Sequence, residues 1–172
     1  MAVSRTLPVP RSRNLYLPKQ VDQASMNELT KGILEINESD KHLSKLYSVY
    51  NLEYTPSPIK IFIDSYGGQV YQCFGLIGVM ESSDTPVHTI VTGAAMSCGF
   101  IILINGHKRF AYNHATPLYH QVSTGFLEDM TLRLTKISKK KLNDILKNKK
   151  DWYMTSESAL ELGVIDSIIK PN

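Results

Sequence analysis

The sequence has little cysteine and no long apolar run, and these two shortages exclude several classes of protein. Its 172 residues include only two cysteines, Cys73 and Cys98, too few for a disulfide framework. Neither cysteine has the neighbouring ligands of a zinc site, so no bound metal is expected. The longest unbroken apolar run, residues 100–104, is far too short to cross a bilayer. We therefore expect neither a secreted disulfide scaffold nor a membrane protein.

Excess charge and a signal sequence are also missing. The formal net charge of +3 is too small to imply a polyanionic partner. Residues 133–150 carry eight Lys or Arg against one Asp, but without interleaved aromatics they predict a solvated helix face. Residues 1–13 contain basic residues and prolines but no apolar core, and predict a flexible arm. We expect a cytoplasmic protein with no nucleic-acid partner.

Strand-like and helix-like segments alternate along the chain. Its 42% hydrophobic and 20% charged residues are ordinary for one globular domain. A capping box at Ser25 predicts a helix of about four turns, after which residues 38–58 form an excursion that ends in prolines. Predicted strands cover residues 14–17, 59–64, 87–91, 109–112, 118–119 and 164–169, and predicted helices begin near Ser25, Val70, Ser97, Leu127 and Thr155. This alternation predicts an α/β domain with a largely parallel sheet.

Two turns rich in small residues follow predicted strands. Gly67-Gly68 permits positive φ and exposes backbone N–H groups, which suits either a tight turn or half of an oxyanion hole. The stretch TGAAMSCG, residues 92–99, sets Ser97 among small residues at a strand-to-helix junction. Such a serine is a helix N-cap or a nucleophile, and taken alone it is more often a cap. The GxSxG, GxxxxGK[ST] and GxGxxG patterns do not occur.

A nucleophilic serine needs a base and a group that orients the base. The histidines are His42, His88, His107, His114 and His120, and His107 and His114 flank a segment that resembles a hairpin. His120 ends a short strand, and strand ends are where parallel sheets place their sites, so it is the best base. The aspartates at positions 64, 84, 129, 144, 151 and 166 are all available as the acid, and spacing does not choose among them.

Four short segments, in the same order along the chain, resemble segments of the caseinolytic protease proteolytic subunit family (ClpP). The members of this family are self-compartmentalised serine peptidases. IDSYGG at 63–68 resembles the strand and SPGG segment of the family, and GAAMSCG at 93–99 resembles its GxAASMG nucleophile segment. LYHQ at 118–121 resembles the MIHQP base segment. DWYMT at 151–155, followed by ALELGVID at 159–166, resembles the acid segment and its continuation. The likeness covers nearly the whole chain from about its fourteenth residue.

The resemblance implies a crotonase-like α/β fold of repeated ββα units, with one peptidase domain over residues 14–172. It implies that Ser97 is the nucleophile, His120 the general base and Asp151 the orienting acid. The backbone N–H groups of Gly68 and Cys98 would form the oxyanion hole. The implied activity is a serine endopeptidase that cuts unfolded proteins and short peptides through an acyl-enzyme. The implied partners are identical subunits in a heptameric ring and an AAA+ unfoldase, which would use the ATP, so no cofactor is expected in this chain.

Several departures from the family pattern bear on assembly and source. Tyr66 replaces the proline of SPGG, and Met96 replaces an alanine beside the serine. Residues 122–150 form a shortened handle, the region through which two rings meet, so the stacking of two rings stays open. Residues 38–58 are predicted to be an insertion relative to the family pattern. A compacted chain of this kind suggests a phage source, and then a place in the host cytoplasm. Two alternatives also stay open: a viral head-maturation-type protease of the same fold and a non-catalytic structural ring subunit.

Overall fold

Strands and helices alternate in the computed structural model, which describes residues 12–120 and 125–170, and the predicted α/β class is confirmed. The elements are β1 (Asn14–Leu17), β2 (Gln20–Val21), α1 (Gln23–Val49), β3 (Ile59–Ser65), β4 (Gly67–Gly68), α2 (Val70–Glu81), β5 (Val87–Met96), α3 (Cys98–Ile104), β6 (Lys108–Tyr112), β7 (Thr116–Tyr119), α4 (Gly125–Leu134), α5 (Lys139–Asn148), β8 (Trp152–Tyr153), α6 (Ser156–Glu161) and β9 (Ser167–Ile169). The predicted arm, residues 1–13, lies mostly outside the described residues.

The main sheet is built around β5, a strand of ten residues. Strands β1, β3, β5, β6 and β9 lie side by side in this order, and each pair runs parallel. The last three residues of β5 pair with β7 rather than with β6, and β7 carries the antiparallel strand β8. Strands β2 and β4 form a separate parallel pair. The carboxyl ends of β5 and β7 therefore meet at one edge of the sheet.

Much of the core lies between one face of this sheet and the first three helices, and buried side chains of α4, α5 and α6 extend it. Along β3, Ile59, Ile61 and Ile63 are fully buried, whereas Lys60 and Phe62 point to the opposite face. Helix α3 is buried along its whole length. Burial of each aliphatic side chain stabilises the fold by about 1.5–3 kcal/mol. Strands β3 and β5 and helix α3 therefore hold the residues next to them in fixed positions.

The first helix differs from its prediction at both ends. Helix α1 has 27 residues, about 40 Å, and continues through much of the predicted excursion. Its N-cap is Asp22, three residues before the predicted cap. The Asp22 carboxylate accepts from the Ser25 N–H (2.9 Å), and the Ser25 hydroxyl accepts from the Asp22 N–H (3.1 Å). The motif is thus a capping box with Ser25 as its third helical residue, so the prediction of Ser25 as the cap is wrong.

Three further predictions of local structure need correction. Strands β6 and β7 do not form a hairpin, because each pairs in parallel with a different part of β5. The long helix predicted from Leu127 onward is two helices, and the Ser138 hydroxyl caps the second by accepting from the Lys141 N–H (3.2 Å). The last strand, β9, begins at Ser167 rather than at Val164. The predicted stop of α6 is confirmed, since Gly163 follows it with φ +65°.

A buried polar cluster ties the middle of α1 to Arg13, just before β1. The carboxylate of Asp40 accepts hydrogen bonds from Arg13, from the Thr85 hydroxyl (2.6 Å) and from the Tyr54 hydroxyl (2.5 Å). Burial alone would raise the pKa of Asp40, but the bonds from these three partners outweigh it and hold the pKa below its ordinary value. The cluster anchors residues 50–58, which follow α1, against the body of the domain.

The outer face of the sheet carries a row of apolar side chains. The strand registers align Tyr16, Phe62, Ile90 and Phe110 across four neighbouring strands. Tyr16 stacks on Phe62 with ring centroids 5.3 Å apart, and Tyr16 remains 60% exposed. Two residues earlier along three of these strands, and so on the same face, a second row contains Lys60, His88 and Lys108.

Candidate active site

Ser97 occupies the turn between β5 and α3, and its backbone has an unusual conformation. Its φ and ψ are 53° and −120°, a region that costs a non-glycine residue about 1–3 kcal/mol. Its N–H donates to the Leu118 carbonyl (3.3 Å), and its carbonyl accepts from the Phe100 N–H (3.0 Å). Within the described part of the chain, the Ser97 hydroxyl makes no capping bond to α3. Ser97 therefore stands at the N-cap position without using its side chain as a cap.

Glycine 67 lies directly against this turn. A Cβ atom added at Gly67 would stand 2.6 Å from the Cβ of Ser97 and 2.7 Å from the carbonyl oxygen of Met96. The φ of Gly67 is also positive, at +96°, so both the close approach and the backbone conformation require glycine. The buried Ser65 hydroxyl accepts from the Gly67 N–H (3.1 Å). The small residues thus let the segment after β3 pack against the serine turn.

The two backbone N–H groups predicted for an oxyanion hole belong to adjoining segments. The Gln69 N–H donates to the Val21 carbonyl (2.7 Å), so Gln69 directs its N–H toward β2. Because successive N–H groups along a strand point to opposite sides, the N–H of Gly68 points away from β2. The Cys98 thiol lies on that side of Gly68, with its Sγ atom 3.3 Å from the Gly68 carbonyl oxygen. Cys98 is the first residue of α3, so its own N–H has no acceptor within the helix.

Both cysteines are fully buried at this point of the fold, and they are not joined by a disulfide. The Sγ atom of Cys73, on α2, lies 3.6 Å from the Cys98 carbonyl oxygen. In the ionised form of Cys98 the Cys73 thiol donates to its sulfur instead, which lowers the pKa of Cys98 to about 7 against the opposing effect of burial. The Gly68 backbone and the Ser97 hydroxyl act in the same direction. The contact with Cys98, together with burial, raises the pKa of Cys73.

His120 follows the last residue of β7. Its predecessor Tyr119 is buried and packs edge-on against Phe100, with ring centroids 5.5 Å apart, and burial raises the pKa of Tyr119 to about 12. Alternation along the strand turns the next side chain outward, and that of His120 is 37% exposed. Because Leu118 pairs with Met96, His120 and Ser97 follow neighbouring strands at the same edge of the sheet.

The short strand β8 brings Asp151 to His120. Tyr119 pairs with Trp152 in the antiparallel ladder, so the next step of that ladder sets His120 opposite Asp151. The Nδ1 atom of His120 lies 4.0 Å from Oδ1 of Asp151, which is an ion-pair distance and longer than a hydrogen bond. Catalytic contacts are commonly this loose before substrate binds. With Nδ1 toward the carboxylate, Nε2 is the ring atom left for a serine hydroxyl.

The other predicted candidates have different surroundings. His42 pairs with Glu38 on the exposed side of α1 (3.3 Å), and Nδ1 of His107 contacts the Val87 backbone. The Asp166 carboxylate is bound by Arg109, which holds its pKa below the ordinary value although burial would raise it. Among the described histidines and aspartates, His120 and Asp151 form the pair within ion-pair distance.

The sequence reasoning missed a structural use for Asp64. Its carboxylate accepts from the Ala94 N–H (2.8 Å) where the register between β3 and β5 shifts, three residues before Ser97. A Cβ atom at Gly93 would lie 2.5 Å from Oδ1 of Asp64, so this contact requires glycine there. The signal available in the sequence was the pair itself: an aspartate at the end of one strand and a glycine before the small-residue turn of the next.

The gathered groups define a class of site. A hydroxyl on a strained turn, an imidazole and a carboxylate lie at one edge of a parallel sheet, beside backbone N–H groups without helical acceptors. This is the set of groups that serine hydrolases use. Within residues 12–120 and 125–170, no cluster of three metal-binding side chains occurs.

The chain belongs to the Clp protease family. The family model of that description matches residues 6–149, most of the chain, and this match together with the α/β sheet identifies a ClpP-like single domain. Asp151 lies just beyond the matched residues. In the same described ranges, no helix is both long enough and apolar enough to span a bilayer.

Similar proteins include three bacterial proteins, each described as an ATP-dependent Clp protease proteolytic subunit. The one from Porphyromonas gingivalis (strain ATCC BAA-308 / W83) is 28% identical, over 93% of this chain and 75% of its own length. That from Bacteroides thetaiotaomicron is 28% identical, over 91% and 74%. That from Bacteroides fragilis is 27% identical, over 91% and 79%. The chain is thus a divergent member of its family.

Proposed function

We propose that this protein is a serine endopeptidase, the proteolytic subunit of an assembled Clp-type protease. Ser97 attacks the peptide carbonyl, and His120 takes the serine proton and later returns it to the leaving amine. Asp151 orients the imidazole and stabilises its charged form. The N–H groups of Gly68 and Cys98 bind the oxyanion, and water then hydrolyses the acyl-enzyme.

The conformation of Ser97 is the observation that carries this proposal. An ordinary N-cap serine has an extended backbone and uses its oxygen to accept from the helix, as Ser138 and Thr155 do here. Ser97 has positive φ and makes no such bond within the described residues. The fold therefore holds Ser97 in an unfavourable backbone conformation, and such conformations are concentrated at functional sites.

Labelling by a fluorophosphonate tests the assignment of the nucleophile. The Ser97→Ala variant should lose labelling and the hydrolysis of a short fluorogenic peptide. Ser82→Ala is the matched control, because Ser82 is an exposed serine at the carboxyl end of α2, and this variant should label like the parent. Labelling that survives Ser97→Ala refutes the assignment. Peptide hydrolysis by the parent in any assembled form excludes the alternative of a non-catalytic ring subunit.

Assembly into a ring is the second part of the proposal. A closed ring hides the active sites from folded proteins, which makes such an enzyme safe in a cytoplasm. Native mass measurement should find a particle of about seven subunits of 19.4 kDa, or twice that number if two rings stack through the shortened handle. A particle of 19.4 kDa under all conditions would remove the ring from the proposal. The family match and the three relatives favour this function over a head-maturation protease.

We further propose that an ATP-driven unfoldase docks on the outer face of the sheet. The relatives are described as ATP-dependent, whereas this sequence contains no phosphate-binding GxxxxGK[ST] loop. The row from Tyr16 to Phe110 offers aromatic anchors of the kind that dominate interfaces, around the buried Ile90. The adjacent lysines, Lys60 and Lys108, would favour a partner segment with apolar residues beside acidic ones.

A further inference from the structure

The two proposed oxyanion donors are carried by separate segments. Gly68 belongs to β4, a strand of only two residues, and Cys98 begins α3. An oxyanion hole acts only if both N–H groups lie about 2.7–3.1 Å from the same developing oxygen. Some contact must therefore fix the two segments relative to each other.

Gly68 has no side chain with which to make that contact. A Cβ atom at this residue would stand 2.2 Å from the Val21 carbonyl oxygen, and its φ is +151°. On the side of β2, Gly68 is held by the backbone pairing with Val21. On its other side, its carbonyl oxygen lies 3.3 Å from the Sγ atom of Cys98.

A second thiol continues this connection into the core. Cys73 stands on α2, and its Sγ atom lies 3.6 Å from the carbonyl oxygen of Cys98. Both side chains are fully buried, so water does not compete for these weak donors. The order of contacts is α2 through Cys73 to α3, and α3 through Cys98 to β4.

We infer that Cys98 and Cys73 are positioning residues, whose thiol hydrogen bonds hold the Gly68 and Cys98 N–H groups at the separation that the oxyanion requires. The inference rests on the proposed function. When both thiols are protonated, each donates to a carbonyl, and neither forms a bond to substrate. Their effect on the reaction passes through the backbone N–H groups of Gly68 and Cys98.

Steady-state kinetics of the assembled full-length protein on a short fluorogenic peptide test this role. Assays near pH 6 keep Cys98 protonated, because its pKa is lowered only to about 7 by the Cys73 thiol. Cys98→Ala should lower kcat about 10- to 100-fold, as for a small misplacement, and change KM less than about twofold. Cys98→Ser and Cys73→Ser keep a hydroxyl donor and should retain most of the parent kcat. Ile102→Val, a buried trimming of the same helix, is the control for packing alone.

The contrast between serine and alanine decides the inference. Equal losses in Cys98→Ala and Cys98→Ser, a parent-like Cys98→Ala, or a loss of the same size in Ile102→Val would each overturn it. Amide exchange of residues 67–69 gives a readout without catalysis, and protection should fall in Cys98→Ala but not in Cys98→Ser. A parent protein that neither labels nor hydrolyses peptide would overturn the proposed function instead, and exchange alone would then decide whether the thiols hold β4.

Discussion

Replacing Gly67 by alanine should disable the site and destabilise the fold together. The added Cβ atom would stand 2.6 Å from the Cβ of Ser97, 2.7 Å from the Met96 carbonyl oxygen and 3.1 Å from the Cys98 nitrogen. Overpacking costs about 1–3 kcal/mol, and a left-handed backbone costs a non-glycine residue about 1–2 kcal/mol more. We expect the free energy of unfolding to fall by about 2–5 kcal/mol.

The same displacement should slow the chemistry, because the obstructed atoms belong to the nucleophile turn. A shift of about 1 Å commonly costs about 100-fold in rate, so fluorophosphonate labelling should slow by about that factor. Gly78→Ala is the matched control: a Cβ atom there meets nothing within 4 Å, and alanine favours a helix by up to about 1 kcal/mol. Urea unfolding and labelling rates measure both effects. Parent-like values of both for Gly67→Ala would refute the packing described for this turn.

Three further changes test other parts of the structure. Asp40→Asn should lower the free energy of unfolding, measured with urea, by about 2–4 kcal/mol at neutral pH, because it leaves Arg13 with a neutral partner. Since the folded-state pKa of Asp40 is depressed, this difference is full above about pH 4 and shrinks as the pH falls through that folded-state pKa. A cost that did not change with pH would contradict this account. Asp151→Asn should lower kcat on the short peptide by about 10⁴-fold with little change in stability, and a parent-like kcat would remove Asp151 from the triad. Replacing Phe62 and Phe110 together by serine should abolish stimulation by a Clp ATPase while short-peptide hydrolysis stays unchanged, and intact stimulation would exclude this docking face.

The sheet could be predicted because strong local signals agreed with the fold. The strand before the glycine pair shows isoleucines at every second position, the periodicity of a half-buried strand. Gly163 stops α6 for a purely local reason, its positive φ. In both cases a few adjacent residues determine the outcome.

The errors arose where distant residues decide. Residues 38–50 contain no helix breaker, and buried Asp40 is stabilised by Arg13 and Thr85 from other segments, so α1 continues where local periodicity weakens. Strands β6 and β7 are close in sequence, yet each pairs with β5: residues 88–91 of β5 pair with β6, and residues 94–96 pair with β7. Neither partner choice is visible within a window of neighbouring residues.

Part of the candidate site could likewise be predicted from the sequence, and part could not. The residue types and their order indicate the triad before any coordinates are known, and their assigned roles stay predictions. The sequence did not predict that Ser97 leaves the helix uncapped. Nor did it predict that the side chain of Cys98 contacts the carbonyl of Gly68, because both features depend on how two separate segments pack.

The strands that carry the site differ greatly in how firmly they are held. Ser97 follows a ten-residue strand paired on both sides, whereas Asp151 precedes the two-residue strand β8, which the sheet pairing joins to β7 alone among the described strands. The nucleophile therefore follows a long strand with partners on both sides, and the acid precedes a short strand with one partner. In the proposed ring, a neighbouring subunit that pressed on β8 would change the distance between Asp151 and His120 and leave Ser97 in place. Turnover would then respond to assembly, while the serine kept the geometry it has in the single chain.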